Sequence, residues 1–439
     1  MFSVNINSIC NNWLARHWYK IMRESKAAID VAVVGAGIIG VCTALELVER
    51  GLQVTIFDPA PVCSKTSYGN AGVISPWTCV PQSMPGLWKQ IPKWLIDPDG
   101  PVSIRSAYLP KFLPWALRFF AAGRINRIDP IADSLFQLSK GSVNAYKKRL
   151  AGTGKENLIR DSMYVHVYRN PKAASLDHLV WRLRQERQVP LELIDKNTLR
   201  EIEPDISTDY KAAIIIREQG RASDPAGIGI ALAKKAKEKG VAHIETTVQQ
   251  VCPDQGLGCG LLTDQGTFVA KKIVLAAGVW SCQLLKQFGM KLPLEAERGY
   301  HLVLRDPGIT INNSVMDAEQ KYVASLMKAG VRVAGTAEFA GLNANPNFFR
   351  AQRFATQAKK LFPKLNVGDA EEWMGTRPSF PDSLPCLGEI PGVKNIIAAF
   401  GHSHYGLGMG PGTSELIADY ITNQGSDSNL SPYSIKRFQ

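Results

Sequence analysis

Three glycines, Gly35, Gly37 and Gly40, follow an apolar run from Ile29 to Val34 in the string VAVVGAGIIG. That residue type at that spacing suits one task, bringing a backbone close to a phosphate. Gly35 allows a tight turn after a strand. Gly37 removes a side chain where a pyrophosphate approaches, and Gly40 lets the next helix pack against the sheet. A helix starting at Ile38 and Ile39 presents its free N–H groups to the anion. Asp58 falls 18 positions after Gly40, at the end of a second apolar run, Val54 to Phe57. An acidic residue there hydrogen-bonds a ribose hydroxyl, which favours FAD or NAD over a 2′-phosphorylated dinucleotide.

The elements that must position these residues are legible around them. Ile29 to Val34 reads as a strand and Ile38 to Val48 as a helix. Gly51 ends that helix, and Val54 to Phe57 is the return strand of a βαβ unit. Ser223-Asp224-Pro225 starts a later helix that runs to Gly240. Short strands follow it, from Val241 to Leu275. Prolines at 81, 85, 92, 98, 101, 110 and 114 argue against long regular elements before about Phe112. Residues 131–150, 173–188 and 349–361 read as helical. Residues 293–345 are strand-like, and a closing helix is expected from Thr413 to Thr422. No internal repeat is present.

The predicted class is α/β: a discontinuous Rossmann-type dinucleotide-binding domain with an inserted, mainly antiparallel β-sheet substrate domain. The dinucleotide domain is expected from 28–80, 220–285 and 385–430, and the substrate domain from 81–219 and 286–384.

Composition excludes some classes. With 439 residues, 45% hydrophobic and 21% charged, the chain is an ordinary globular one. No uncharged apolar stretch of about 18 residues exists, so no spanning helix is expected. Eight cysteines without a CxxC pair read as reduced thiols of a cytoplasmic protein. His402 and His404 form one HxH, and no metal site is predicted. The net charge of +12 favours an anionic surface or simple solubility. Lys234, Lys235, Lys237 and Lys239 read as a solvated helix face. Residues 1–27 are an extension in which Leu14, Trp18, Ile21 and Met22 fall at helical spacing among basic residues. That pattern fits an amphipathic membrane-surface helix or a segment without fixed structure.

Two further segments favour FAD. Ser67, Asn70, Ala71 and Gly72 lie in a small-residue loop after the acidic position. Ala277, Gly278 and Trp280 follow a late strand, and Val248 begins another. Here the chain resembles the D-amino-acid oxidase family of FAD enzymes, most of all its bacterial D-amino-acid dehydrogenase branch. The segments that carry the resemblance are VVGAGIIGVCTALELVERGLQVTIFD, SYGNAGVISP, RGYHLVL, VRVAGTAEFAG, MGTRPSFPDSLPCLG and GHSHYGLGMGPGTSELIADYI. NAGVISP and GTRPSFPDSLP are fairly specific, whereas the glycine fingerprint alone is not.

The resemblance implies one non-covalent FAD and hydride transfer from an amino-acid Cα to flavin N5. It implies that Arg377 holds the substrate carboxylate, a task suited to a planar guanidinium. Tyr300 matches an aromatic position near the pocket. Gly401 to Met409, including Gly406 and Gly408, matches the segment around the isoalloxazine. Its N–H groups and the helix expected after Pro411 would stabilise negative charge there. Where some members carry a second arginine in this loop, this chain has His404. No general base is named. The expected activity is oxidative deamination of a D-amino acid with electrons passed to a respiratory acceptor, at the inner face of the cell membrane through a quinone or carrier. An oxygen-using oxidase, a secondary-amine substrate and an RNA-modifying flavoprotein are the alternatives. No nucleic acid partner is expected, because no RNA-binding module accompanies the basic charge.

Overall fold

The computed structural model describes residues 29–97, 100–254, 256, 258–423 and 427–439. The amphipathic pattern at residues 14–22 lies outside them.

Two sheets organise the chain. In the first, five strands run parallel in the order Val393–Phe400, Gly266–Leu275, Ile29–Val34, Val54–Phe57 and Ala242–Ile244. Cys386–Ile390 adds an antiparallel edge, and Val248–Cys252 and Cys259–Thr263 extend Gly266–Leu275 as an antiparallel ribbon. Apolar, mostly β-branched residues fill the buried part of Ile29–Val34, from Val31 to Val34, as a strand covered on both faces requires. Helices Ile38–Glu49, Pro225–Glu238 and Gly406–Ile421 cover one face. Val41, Leu45, Ile228, Leu232 and Ile417 are buried there.

The second sheet has eleven strands. Its pairings are antiparallel except Ser314–Asp317 with Ile159–Tyr168 and Ala337–Phe339 with Val102–Ile104. Ala370–Ser379 pairs along the whole of Glu295–Leu304, with Glu297 opposite Arg377. Helix Phe349–Leu361 buries Phe354 and Leu361 beneath this sheet. Val73–Ile74 pairs with the end of Ala212–Ala222 in this sheet.

Several expected elements differ in extent. Leu109–Ala122 is a helix that begins before Phe112. Pro110 lies in its first turn, where its missing N–H costs nothing. The last of the short strands expected between Val241 and Leu275 is a ten-residue strand, Gly266–Leu275. The largest change is the closing helix, which starts at Gly406 and has Pro411 inside it. Proline at that position leaves the Leu407 carbonyl without its donor four residues on. The Tyr146 hydroxyl supplies one instead, donating to Leu407 O at 2.7 Å. A distant side chain therefore rescues a helix that local propensity forbids.

Candidate active site

The glycine turn has the geometry its residues require. Gly35 sits at φ +115°, and a Cβ on it would meet Ala276 O at 2.6 Å. A Cβ on Gly40 would lie 1.9 Å from Gly35 O, so only glycine lets the helix pack this closely. A Cβ on Gly37 would find only Ser67 Oγ, at 3.5 Å, and would otherwise fill open cavity. Helix Ile38–Glu49 begins here with no side-chain cap from Gly37 and no acidic residue in its first turn. Ile38 N donates to Ser67 Oγ at 3.0 Å. Asp58 closes the turn, accepting from Ala36 N at 2.7 Å and Ala60 N at 2.8 Å.

A cavity of about 1280 Å³ runs from this turn to Arg377 and His404. It exceeds the roughly 300–1,000 Å³ of ordinary ligand pockets, as a dinucleotide plus a substrate demands. Gly35, Gly37, Ile38, Ile39 and Asp58 line one end. Ser67, Asn70, Ala71 and Val248 line it further along. Ala277, Gly278, Trp280, Gly401, Gly406 and Gly408 also reach it. Three expected residues do not. Gly40 faces Gly35, as its packing role requires. Gly72, at φ +80°, faces Met327 and Ala222. Met409 is fully buried in the core, and its N–H donates to Tyr405 O at 2.9 Å.

The early start of helix Gly406–Ile421 alters how the 401–409 segment meets the cavity. What was expected as loop is the helix's first turn, and Gly406, Leu407 and Gly408 line the cavity. The N–H groups of a first helical turn have no intrahelical acceptor. A second helix N-terminus, with its partial positive charge, therefore opens on the same cavity. The residues fit FAD: one helix start for the pyrophosphate, a second for the flavin, a Cβ-free cradle at Gly37 and room between.

Arg377 stands on strand Ala370–Ser379 at the other end. Its Nη1 donates to Glu297 Oε1 at 2.8 Å and to Thr336 O at 2.9 Å. A Cβ on Gly299 would lie 2.2 Å from Nη2, so glycine there lets the guanidinium lie flat across the neighbouring strand. No partner for Nε or Nη2 occurs among the described residues, and the side chain is 20% exposed, into the cavity. Arg377 is thus both an ion-pair member and a fork with one open edge. His404 Nε2 contacts Glu297 Oε1 and lies 3.4 Å from Arg377 Nη1.

Glu297 links the two, and sequence reasoning missed it. Its side chain is 3% exposed, and Oε2 accepts from the Ser379 hydroxyl at 2.7 Å. Burial raises its pKa, but His404, Arg377 and Ser379 outweigh burial and hold the carboxyl down at about 2. The one available signal was a glutamate inside EAERGYHLVL, a strand buried on both faces. Its partner could be found only through the register with Ala370–Ser379.

Tyr300 borders the cavity, and its hydroxyl is engaged, donating to Glu338 Oε2 at 2.5 Å and accepting from Asn347 N at 2.9 Å. His301 points to the opposite face, stacked on Trp373 at 4.7 Å, with Nδ1 3.2 Å from Gly69 O. The two histidines of HxH also part. His402 is buried with Nε2 3.0 Å from Thr413 Oγ1, and burial takes its pKa down to about 3. Among the described residues, no group of three or more His, Cys, Asp or Glu side chains assembles as metal ligands, and no helix is long and apolar enough to cross a membrane.

Comparison with known proteins agrees with this geometry. The DAO family profile, described as FAD dependent oxidoreductase, matches residues 30–420. A D-amino-acid oxidase of Bradyrhizobium diazoefficiens is 35% identical over 416 residues, covering 93% of this chain and 98% of that protein. A D-amino acid dehydrogenase of Dechloromonas aromatica is 30% identical over 411 residues, covering 90% and 97%. The fold is also that of an L-proline dehydrogenase from P. horikoshii, with TM-score 0.72 and 21% identity over 94% of this chain and 98% of the other.

Proposed function

This chain belongs to the DAO family of FAD-dependent oxidoreductases, and we propose that within it the protein oxidises the amine of a D-amino acid and passes the electrons to a membrane acceptor. The observation that carries the reading is the open edge of Arg377, facing the cavity that holds the cofactor. FAD, when bound, supplies the two-electron acceptor for the Cα hydrogen. Every other contribution comes from this chain. Nε and Nη2 of Arg377 take the two carboxylate oxygens in parallel, which fixes the direction of the Cα hydrogen. Glu297 and Thr336 hold Nη1, so the fork cannot swing. Both carboxylate oxygens of Glu297 are already engaged, so it takes no proton from the amine. His404 stands at the rim of the same cluster and shapes the side-chain pocket. In this reading 28–80, 220–285 and 385–430 carry FAD, and the second sheet covers the substrate.

The D configuration is supported by the names of the relatives at 30% identity or more. The membrane acceptor is supported by the surface beside the cavity mouth. Trp88, Ile96 (82% exposed), Leu113, Leu117 (63%) and Ile125 face outward there from helices Ile91–Ile96 and Leu109–Ala122 and the chain flanking them. Lys89, Lys93, Lys111 and Arg118 lie among them. Apolar side chains rimmed by cations suit an anionic lipid surface, and Leu113 belongs both to this face and to the cavity wall. A quinone or carrier at the cytoplasmic face would enter there.

Steady-state kinetics test the substrate reading. Arg377→Met removes two charge-assisted bonds of about 1.5–3 kcal/mol each, so KM for the amino acid should rise at least ~100-fold. Unchanged KM removes Arg377 from the site.

A further inference from the structure

A second groove, about 590 Å³ in volume, shares no lining residue with the large cavity. Its walls are the turn at Gly152–Lys155, the start of strand Ile159–Tyr168, the end of strand Ala212–Ala222, the outer face of helix Pro225–Glu238 and the turn at Leu326–Lys328. Six cationic side chains line it: Lys155, Arg160, Arg221, Lys234, Lys235 and Lys328. The two acidic side chains in the wall are committed. Asp224 caps its helix through Gly227 N at 2.9 Å, and Glu238 lies 3.8 Å from Lys234 Nζ.

Arg221 is the buried cation of the six. It is 6% exposed, and no carboxylate oxygen contacts it among the described residues. Its Nη1 donates to the carbonyls of Ile311 and Asn312, both at 2.9 Å. Its Nε is buried without a partner. Glu203 is near enough to act on it electrostatically, but Glu203 spends its oxygens on Asn312 and Asn313. Arg160 stands directly opposite Arg221 in the sheet register. Like charges in that relation destabilise a sheet, and a buried cation that makes no direct contact with a carboxylate is costly. Burial and Arg160 both push the Arg221 guanidinium down in pKa, with Glu203 partly offsetting them. A bound anion relieves all of these costs at once.

We propose that this groove is a binding site for a small multivalent oxyanion, a phosphate or polycarboxylate compound. Arg221 lines the groove with its Nη1 held by backbone carbonyls, so it offers the anion a fixed cationic contact. Arg160, Lys155 and Lys328 surround that point with charges for which no carboxylate partner occurs among the described residues, which favours a ligand with more than one negative charge. The lysine run on helix Pro225–Glu238 divides accordingly. Lys234 and Lys235 line the groove, and Lys235 Nζ is braced by the carbonyls of Arg149 and Ala151 at 2.7 and 3.2 Å.

Calorimetric titration of the FAD-loaded protein tests the site, because the cofactor then fills its own phosphate subsite. Pyrophosphate, orthophosphate and citrate are titrated at one ionic strength, with chloride as the control. The expected result is saturable 1:1 binding of at least one of them and none of chloride. Preference for pyrophosphate assigns a phosphate ligand, and preference for citrate a carboxylate one. Arg221→Met should abolish binding. The exposed triple variant Lys155→Ser, Arg160→Ser, Lys328→Ser avoids the core and should weaken binding at least ~10-fold, about 1.4 kcal/mol. No saturable binding by any of the three anions, or equal binding by the triple variant, overturns the proposal.

Discussion

Replacing Glu297 by Gln keeps the shape of the Arg377–Glu297–His404 cluster and removes one charge from it. The amide oxygen can face Arg377 and His404, and its NH2 can donate to Ser379 Oγ, which accepts as readily as it donates. The two contacts to Oε1 then lose their ionic acceptor. A hydrogen bond to a charged acceptor exceeds one to a neutral acceptor by about 1 kcal/mol, so the pair of contacts loses about 2 kcal/mol of stability at neutral pH. Water screens little of this, because the side chain is 3% exposed. The sign with pH follows from the depressed carboxyl. Its stabilisation is complete above the ordinary value of 4.5 and is lost as pH falls toward about 2. Urea unfolding of FAD-loaded wild type and Glu297→Gln should therefore differ at pH 7 and converge between pH 4.5 and 2. The substrate grip sits on the other edge of the guanidinium, so KM should stay within ~3-fold or fall as Arg377 becomes less neutralised. Equal stability at pH 7 would refute the ion-pair account. A KM increase as large as that of Arg377→Met would refute the division of the guanidinium into a held edge and an open one.

Tyr146→Phe leaves the Leu407 carbonyl buried without a donor and should cost about 1–3 kcal/mol, read by urea unfolding. Two buried histidines, His301 and His402, are held near pKa 3, the first by burial and Arg332, the second by burial. The unfolded chain binds their protons from about 6.5 downward, so stability falls as pH falls from 6.5 toward 3. Between pH 7.5 and 5.5 the loss should be about 2–3 kcal/mol, and His402→Gln should remove its share. Vesicles containing anionic lipid should bind the protein. Replacing Ile96, Leu117 and Ile125 together by Ser should release it, with turnover against a soluble artificial acceptor unchanged.

The glycine turn was legible because all its determinants are local. Gly35, Gly37, Gly40 and Asp58 lie within one βαβ unit, and each glycine's role follows from what a Cβ would strike. Helix Pro225–Glu238 was legible for the same reason, from Asp224 and Pro225 at its start. The start of helix Gly406–Ile421 was not. Pro411 reads locally as a boundary, and the hydroxyl that overrides it comes from Tyr146. Glu297 was invisible because its meaning lies in strand register: beside Arg298 and Gly299 it is another charged residue, and only the pairing with Arg377 makes it a site residue. Tyr300 lies at the cavity as its aromatic position implied, but its hydroxyl's partner, Glu338, depends on strand pairing and was not legible either. Arg377 was identified by resemblance, and its ion pair and its open edge both belong to the structure.

The central claim is that this cavity brings an amino-acid Cα to a flavin with Arg377 as the carboxylate anchor. Anaerobic mixing of the FAD-loaded protein with D-amino acids, L-amino acids, cyclic imino acids and the decarboxylated amines tests it most directly. The account predicts that D-amino acids bleach the oxidised-flavin absorbance and that their L-enantiomers and the carboxylate-free amines do not. No bleaching by any amino acid, or equal bleaching by amines without a carboxylate, would contradict it.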